Sequence, residues 1–211
     1  MKRSKQRRAP TERPGEILEA ALALFVEKGF AATRLDDVAE RAGLSKAAIY
    51  LYFEDKMALF RGVVRQAVAA NLGTVAEMAK AHRGPVAPLL RRILAFMAGR
   101  LEHTPIASVA KLVLAESRAF PEIGHFYLEE VIGRGFPLLE GLIARGIEQG
   151  EFRTVDPGMT VRSLVGGMLL AGLWRTVFEP IGAEKLDIEA FARHHADLIL
   201  HALRPERAGT S

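Results

Sequence analysis

Residues 33–53, TRLDDVAERAGLSKAAIYLYF, place two short helical patterns on either side of a three-residue turn, and no other segment constrains the fold as strongly. Two helices this close together can cross steeply only if a small residue lies at the crossing and the turn tolerates a positive φ. Ala39 and Gly43 meet these requirements, and Leu44 supplies an apolar plug for the turn. The remaining apolar residues predict a small core with the preceding helix, formed by Leu22, Phe25, Leu35, Val38, Ile49 and Phe53.

The second helix of this pair carries a face of polar and small side chains. Seven residues lie on that face or just after it: Ser45, Lys46, Ala47, Ala48, Tyr50, Tyr52 and Lys56. Ser45 and Lys46 stand at the helix N-terminus, where amide donors and the helix dipole favour phosphate. The alanines permit close approach to a base edge, and the tyrosines and Lys56 suit the DNA backbone. The segment therefore indicates a DNA-reading helix-turn-helix. A helical hairpin with incidental tyrosines is the plainer alternative.

Helical periodicity continues through the chain. A first helix is predicted from Thr11 or Pro14 to Lys28, with Gly29 as its stop, and Thr33 with Asp36 resembles a capping box for the next. Asp55 is predicted to cap a longer helix that reaches about Ala79. Gly and Pro residues then separate five more patterns, near 86–102, 106–118, 122–149, 158–178 and 187–203. About nine helices and no convincing strand predict an all-α protein.

The basic excess of the chain is concentrated at its N-terminus. Residues 1–13 contain six basic side chains and one acidic one, a sum of +5, so that the remaining residues sum to −1. A solvated tail is one explanation. The alternative is an arm that neutralises phosphates, with Arg3, Arg7 and Arg8 as its main contacts.

The stretch from Ile17 to Phe60, with its IYLYF ending followed by Lys56 and Leu59-Phe60, resembles the DNA-binding domain of the tetracycline-repressor (TetR) family. The resemblance implies a basic arm over 1–10, a three-helix DNA-binding domain over 11–56 with its helix-turn-helix at 34–53, and a helical effector-binding and dimerisation domain over 57–205. It also implies a homodimer that binds a near-palindromic double-stranded operator. We expect a repressor rather than an activator, because blocking a promoter requires only occupancy, and we expect its release by a small, largely apolar effector. Coupling would run through the helix that follows the helix-turn-helix.

The family pattern implies roles for individual residues. Thr33 and Arg34 would approach phosphates, Tyr52 and Lys56 would clamp the backbone, and the groove would be met by Ser45, Lys46, Ala47 and Tyr50. Tyr52 stands where many members have histidine, and Arg34 stands where serine or threonine is common.

The C-terminal two-thirds resemble the family more diffusely, mainly in LVLAESRAFPEIGHFY (112–127). The helices near 158–178 and 187–203 are expected to form the dimer interface, because they combine small residues with apolar area: Leu164, Val165, Gly166, Gly167, Met168, Leu169, Ala171, Gly172, Leu198, Ile199 and Leu203. Seven apolar side chains either line an effector cavity or belong to the core: Phe96, Met97, Leu112, Phe126, Phe136, Trp174 and Phe178. The ligand-binding residues stay unknown.

Several other functions lack a sequence signal. The chain has no cysteine, and His194 and His201 share a helical face but lie two turns apart, so we expect no metal site and no cofactor. Phosphate-binding loops, nucleophile elbows and HExxH motifs are missing, which disfavours an enzyme. A helical carrier that does not read DNA is the second rival. No apolar run reaches the roughly 18 residues of a membrane span, and no signal peptide is evident, so we expect a cytoplasmic protein.

Overall fold

A computed structural model describes residues 13–205, except the side chains of residues 13, 69 and 70. Within that range every regular element is helical, which confirms the all-α prediction. The α-helices are α1 (Arg13–Ala32), α2 (Leu35–Ala42), α3 (Lys46–Tyr50), α4 (Lys56–Val64), α5 (Ala70–Ala81), α6 (Val86–His103), α7 (Ile106–Glu116), α8 (Pro121–Tyr127), α9 (Gly133–Glu148), α10 (Pro157–Leu173) and α11 (Ile188–Ala202).

Short π-helical turns continue three of these helices. Arg65–Ala69 joins α4 to α5, Leu128–Ile132 joins α8 to α9, and Trp174–Phe178 extends α10 before a 3₁₀ turn at Glu179–Ile181. When the joined segments are counted together, the described residues contain nine helices, as the periodicity predicts. The π turns themselves were not predicted.

The described residues pack as two compact units. The first contains residues 13–66 together with 112–126, and the second contains 67–111 and 127–205. A domain boundary after residue 56 was predicted, whereas the packing assigns α4 and the later segment 112–126 to the first unit. The functional limits of the domains stay a prediction.

The helices of the first unit bury part of the predicted core completely, while Leu22, Leu35 and Phe53 are half-buried. Phe25, Val38, Ala39 and Ile49 are all buried, as the sequence predicts. Gly43 ends α2 in the left-handed region, at φ 67°, and Leu44 donates its N–H to the carbonyl of Ala39 at 2.9 Å. This confirms the glycine turn, in a conformation that residues with a Cβ rarely adopt.

The start of α2 differs from the prediction by one residue. Arg34, not Thr33, is the N-cap, and its own N–H donates to Oδ2 of Asp37 at 3.0 Å, so that Asp37 replaces Asp36 in the cap. The cause is the way α1 ends. Gly29 breaks α1 at φ 81°, and the Thr33 hydroxyl turns back to donate to the Gly29 carbonyl at 2.8 Å.

The core of the second unit lies between α6, α9, α10 and α11. Its most deeply buried residues are Val86, Leu89, Leu90, Ile93, Leu94, Ala98, Ile143, Val161, Leu164, Met168 and Ala192. Phe96, Met97 and Phe136 pack against this core, while Leu112 and Phe126 belong to the first unit, so the residues expected around one cavity are divided between the units.

Candidate DNA-binding surface

Helix α3 is five residues long and depends on its neighbours for its position. Ser45 is its N-cap, as predicted, and its Oγ accepts the N–H of Ala48 at 3.2 Å. Ile49 is fully buried and anchors the helix to the core of the first unit. Because one side is fixed in this way, Ser45, Lys46, Ala47 and Tyr50 are brought together as exposed residues, and Ala48 is half-buried beside them.

Three large side chains at the end of α3 are exposed. Tyr50 is 46% exposed and Tyr52 38% exposed, so both hydroxyl-bearing rings reach solvent. Leu51 between them is 83% exposed, and the sequence analysis gave it no role. The sequence could have predicted this exposure, because successive helical residues are about 100° apart and Leu51 therefore lies about 200° around the helix from the buried Ile49. An apolar side chain this exposed is suited to contact with a thymine methyl group.

Lys46 is held by an acidic partner on α2. Its Nζ lies 2.9 Å from Oδ1 of Asp36, and more than half of each side chain is exposed. The hydrogen bond to Asp36 raises the pKa of Lys46 above its ordinary value. The pair joins the N-terminal turns of the two helices through their side chains, and it keeps a positive group at the start of α3.

Two of the residues predicted to bind phosphate, Thr33 and Lys56, form hydrogen bonds to backbone carbonyls of the protein itself. Thr33 is buried, with its hydroxyl on the Gly29 carbonyl. Lys56 Nζ donates to the carbonyls of Phe30 at 2.6 Å and Ala31 at 2.9 Å, and burial lowers the pKa of Lys56. Both side chains therefore cap the end of α1. A contact of either one with phosphate stays a prediction, as do the DNA contacts of the exposed residues.

The charge of this segment is unexpectedly balanced. Residues 33–56 contain four basic and five acidic side chains, so the helix-turn-helix has no positive excess. The concentrated positive charge lies in residues 1–12, outside the described part of the chain. Arg34 is the exposed basic residue at the beginning of α2.

In the part of the chain that the structure describes, histidine and carboxylate side chains do not converge into a metal site. Among residues 13–205 no group of three or more potential ligands has the spacing to hold a metal ion. His195 instead has Nε2 2.9 Å from the carbonyl oxygen of Leu164 and stacks on Phe191.

Comparison with known proteins agrees with this geometry. Residues 17–63 match the model of "Bacterial regulatory proteins, tetR family", which spans the surface described above. Residues 88–202, more than half of the chain, match the model of the "AefR-like transcriptional repressor, C-terminal domain". The chain belongs to the TetR family. It is therefore a DNA-binding transcriptional regulator, since this family consists of such regulators and not of enzymes.

Individual members of the TetR family resemble the chain over most of its length. The transcriptional regulator RutR of Escherichia coli (strain K12) is 31% identical over 168 residues, which cover 72% of this chain and 70% of RutR. The fatty acid metabolism regulator protein of Bacillus subtilis (strain 168) is 25% identical, over 89% of this chain and 94% of that protein. The crystal structure of PfmR from Thermus thermophilus is 30% identical, with a TM-score of 0.70 over 90% of this chain and 99% of PfmR.

Proposed function

We propose that the chain is a cytoplasmic homodimeric repressor that binds a near-palindromic operator with two copies of α3 and is released by a small, largely apolar effector. One observation carries the proposal: Ser45 and Ile49 fix α3 so that Lys46 and Tyr50 are exposed on the same side. In a symmetric dimer, two such helices about 34–36 Å apart would enter successive turns of the major groove.

We assign different tasks to the predicted residues. Ser45, Lys46, Ala47, Ala48 and Tyr50 would meet the groove, with Arg34 and Tyr52 against the backbone. Thr33 and Lys56 would act mainly through their hydrogen bonds to backbone carbonyls of residues 29–31, which fix the chain between α1 and α2. Since residues 33–56 have no positive excess, basic residues of the N-terminal arm would supply much of the phosphate attraction.

An exposed apolar surface on α10 and α11 supports dimerisation. Met159 is 66% exposed, Leu170 54% and Leu198 57%. The stretch Pro157–Ile181 is long and apolar enough to cross a membrane, a weak signal in a single helix, and only 22% of its most apolar window is buried. A second copy would cover this surface, as a TetR-family homodimer requires. Gly166 offers room for close approach, because a Cβ there meets nothing within 4 Å.

Other small residues expected at the interface are used within the chain instead. A Cβ on Gly167 would lie 2.6 Å from the His195 ring, and one on Gly172 would lie 3.0 Å from Leu101. Ala171 is buried as well. These residues allow α10 to pack closely on the core of its own chain. Of the small residues predicted at the interface, Gly166 is the one that leaves space for a partner.

Two observations support the proposal that the effector is apolar. Phe96, Met97 and Phe136 lie partly buried at the margin of the second core, where an apolar ligand would find contacts. The relative from Bacillus subtilis is named for fatty acid metabolism, which is consistent with an apolar ligand class. The binding residues are not assigned.

Selection of bound fragments from the native genome, followed by sequencing, tests the proposed function. The enriched fragments are expected to share one near-palindromic sequence that binds saturably, with affinity that falls steeply as salt rises. A helical carrier that does not read DNA predicts weak, sequence-independent binding or none, and that result would refute the proposal.

Two substitutions then test the surface. Tyr50→Ala should weaken binding to the selected operator by roughly tenfold or more, the loss typical of a base contact. Lys46→Ala should weaken binding to the selected operator by a similar factor, because the groove surface loses its charged hydrogen-bond donor. Arg92→Ala on α6 removes the same charge from an exposed position of the second unit and serves as the control. Both variants should remain dimeric, and loss of the dimer would contradict the assignment.

A further inference from the structure

The corner between α1 and α2 is held by side chains that bond to its backbone. Thr33 donates to the carbonyl of Gly29 at 2.8 Å, and Lys56 donates to those of Phe30 and Ala31 at 2.6 and 2.9 Å. A further bond comes from the last residue of α7, because Oε1 of Glu116 accepts the N–H of Phe30 at 2.9 Å. That contact joins residues 86 positions apart in sequence.

The aromatic ring of Phe30 is the centre of the same corner. It is buried, and its centroid lies 5.3 Å from Phe25, 6.0 Å from Phe60 and 5.0 Å from Phe120. Phe120 follows Glu116 by one turn, and its N–H donates to the Glu116 carbonyl at 2.8 Å. One turn of the chain therefore supplies both the carboxylate that binds the Phe30 amide and the ring that packs on the Phe30 side chain.

The carboxylate of Glu116 is tightly fitted against the backbone. A Cβ built on Gly29 would lie 2.8 Å from Oε1 of Glu116, closer than real Cβ contacts. The Glu116 charge also favours the ammonium of Lys56 and so opposes the effect of burial on the pKa of that group. Glu116 thus contacts the backbone that leads into α2 and stabilises the lysine that begins α4, the two helices on either side of α3.

We propose that Glu116 is a positioning residue for DNA binding: by accepting the Phe30 N–H, it fixes the corner that orients α2 and α3. The inference rests on the proposed function. It adds a determinant that lies outside residues 17–63, the range of the DNA-binding family model, and inside residues 88–202, the range of the C-terminal model. The contact itself is made entirely within the first compact unit.

Two substitutions separate the reach of the Glu116 side chain from its charge. Glu116→Gln keeps an acceptor oxygen at the same reach and removes the charge, whereas Glu116→Asp keeps the charge and shortens the side chain. If position matters, the aspartate variant should bind the selected operator roughly three- to tenfold more weakly, the worth of one hydrogen bond. The glutamine variant should lose clearly less, because it keeps the bond to Phe30 and removes only the charge that acts on Lys56. The salt slope should not change in either variant, because no phosphate contact is lost.

Electrostatics alone predicts different results. Removal of a carboxylate near DNA would tighten binding, so the glutamine variant would bind more strongly than the wild type while the aspartate variant would be unchanged. Glu122 on α8 provides the matched control, because it is exposed and its side chain has no hydrogen bond or ion pair among the described residues. Glu122→Gln and Glu122→Asp should both leave operator affinity unchanged to within about twofold, well below the loss of one hydrogen bond.

Amide exchange in the DNA-free protein provides a second measurement. The Phe30 amide should exchange faster in Glu116→Asp than in Glu116→Gln, relative to the free energy of unfolding of each variant. Equal Phe30 exchange, or operator binding by Glu116→Asp equal to that of the wild type, would overturn the positioning role. If the wild type binds no selected fragment, the proposed function fails by itself, and the exchange comparison still decides whether Glu116 holds the corner.

Discussion

At the scale of single residues, Ser45 has two separable properties. Its Oγ caps α3 by accepting the Ala48 N–H, and its exposed position places whatever side chain stands there at the proposed DNA surface. A helix of five residues has few other hydrogen bonds, so the cap is important to its stability. The capping and the DNA-facing roles can therefore be tested with different substitutions at one position.

Ser45→Ala should destabilise the protein by about 1 kcal/mol, because the cap is lost. Ser45→Asp should keep the free energy of unfolding near that of the wild type, since aspartate is also a good N-cap, yet lose operator binding because a carboxylate then faces the phosphates. Urea denaturation and operator titration of both variants measure the two effects. If Ser45→Asp bound the operator as well as the wild type, the N-terminus of α3 would not face DNA.

At the scale of secondary-structure elements, two glycines determine how the first three helices follow one another. Both have positive φ, 81° at Gly29 and 67° at Gly43, but their surroundings differ. A Cβ on Gly43 would meet nothing within 4 Å, whereas one on Gly29 would collide with Glu116. Gly43 is thus required for its backbone conformation alone, and Gly29 for its conformation and for space.

Gly43→Ala should cost about 1–2 kcal/mol of unfolding free energy, the typical strain of a left-handed residue with a Cβ. Gly29→Ala should cost more, because the added methyl group also displaces the Glu116 carboxylate. A double-mutant cycle with Glu116→Ala checks the cause. The two effects should be clearly non-additive at Gly29 and additive at Gly43, and additivity at both sites would contradict the contact.

The same elements show what local sequence can predict. The α2–α3 turn follows from the spacing of Ala39, Gly43 and Ser45, and all three have the predicted places. The cap of α2 was misassigned by one residue, because the Thr33 hydroxyl is taken by a carbonyl whose position depends on where α1 breaks. The Glu116 contact had no local signal, since its partner is 86 residues away and is a backbone amide with no residue type to recognise.

At the scale of the whole molecule, the proposed dimer depends on the exposed apolar surface of α10 and α11. Leu170→Glu should shift the protein to monomers, because two copies would bury like charges against each other. Leu114→Glu on α7 is a suitable control, since Leu114 is 60% exposed against 54% for Leu170 but lies outside that surface. Sedimentation equilibrium distinguishes the two variants, and a dimer that survives Leu170→Glu would place the interface elsewhere.

The return of residues 112–126 to the first compact unit has a consequence for protein engineering. A chimeric regulator made by joining residues 13–66 to a foreign sensor domain would treat the junction as a single cut in the chain. Here such a graft would leave behind the Glu116 carboxylate and the Phe120 ring, so the corner at Phe30 would lose both contacts. A chimera that keeps this DNA-binding unit intact should therefore include residues 112–126 as well as residues 13–66. The second segment would have to be inserted in the middle of the foreign sensor sequence.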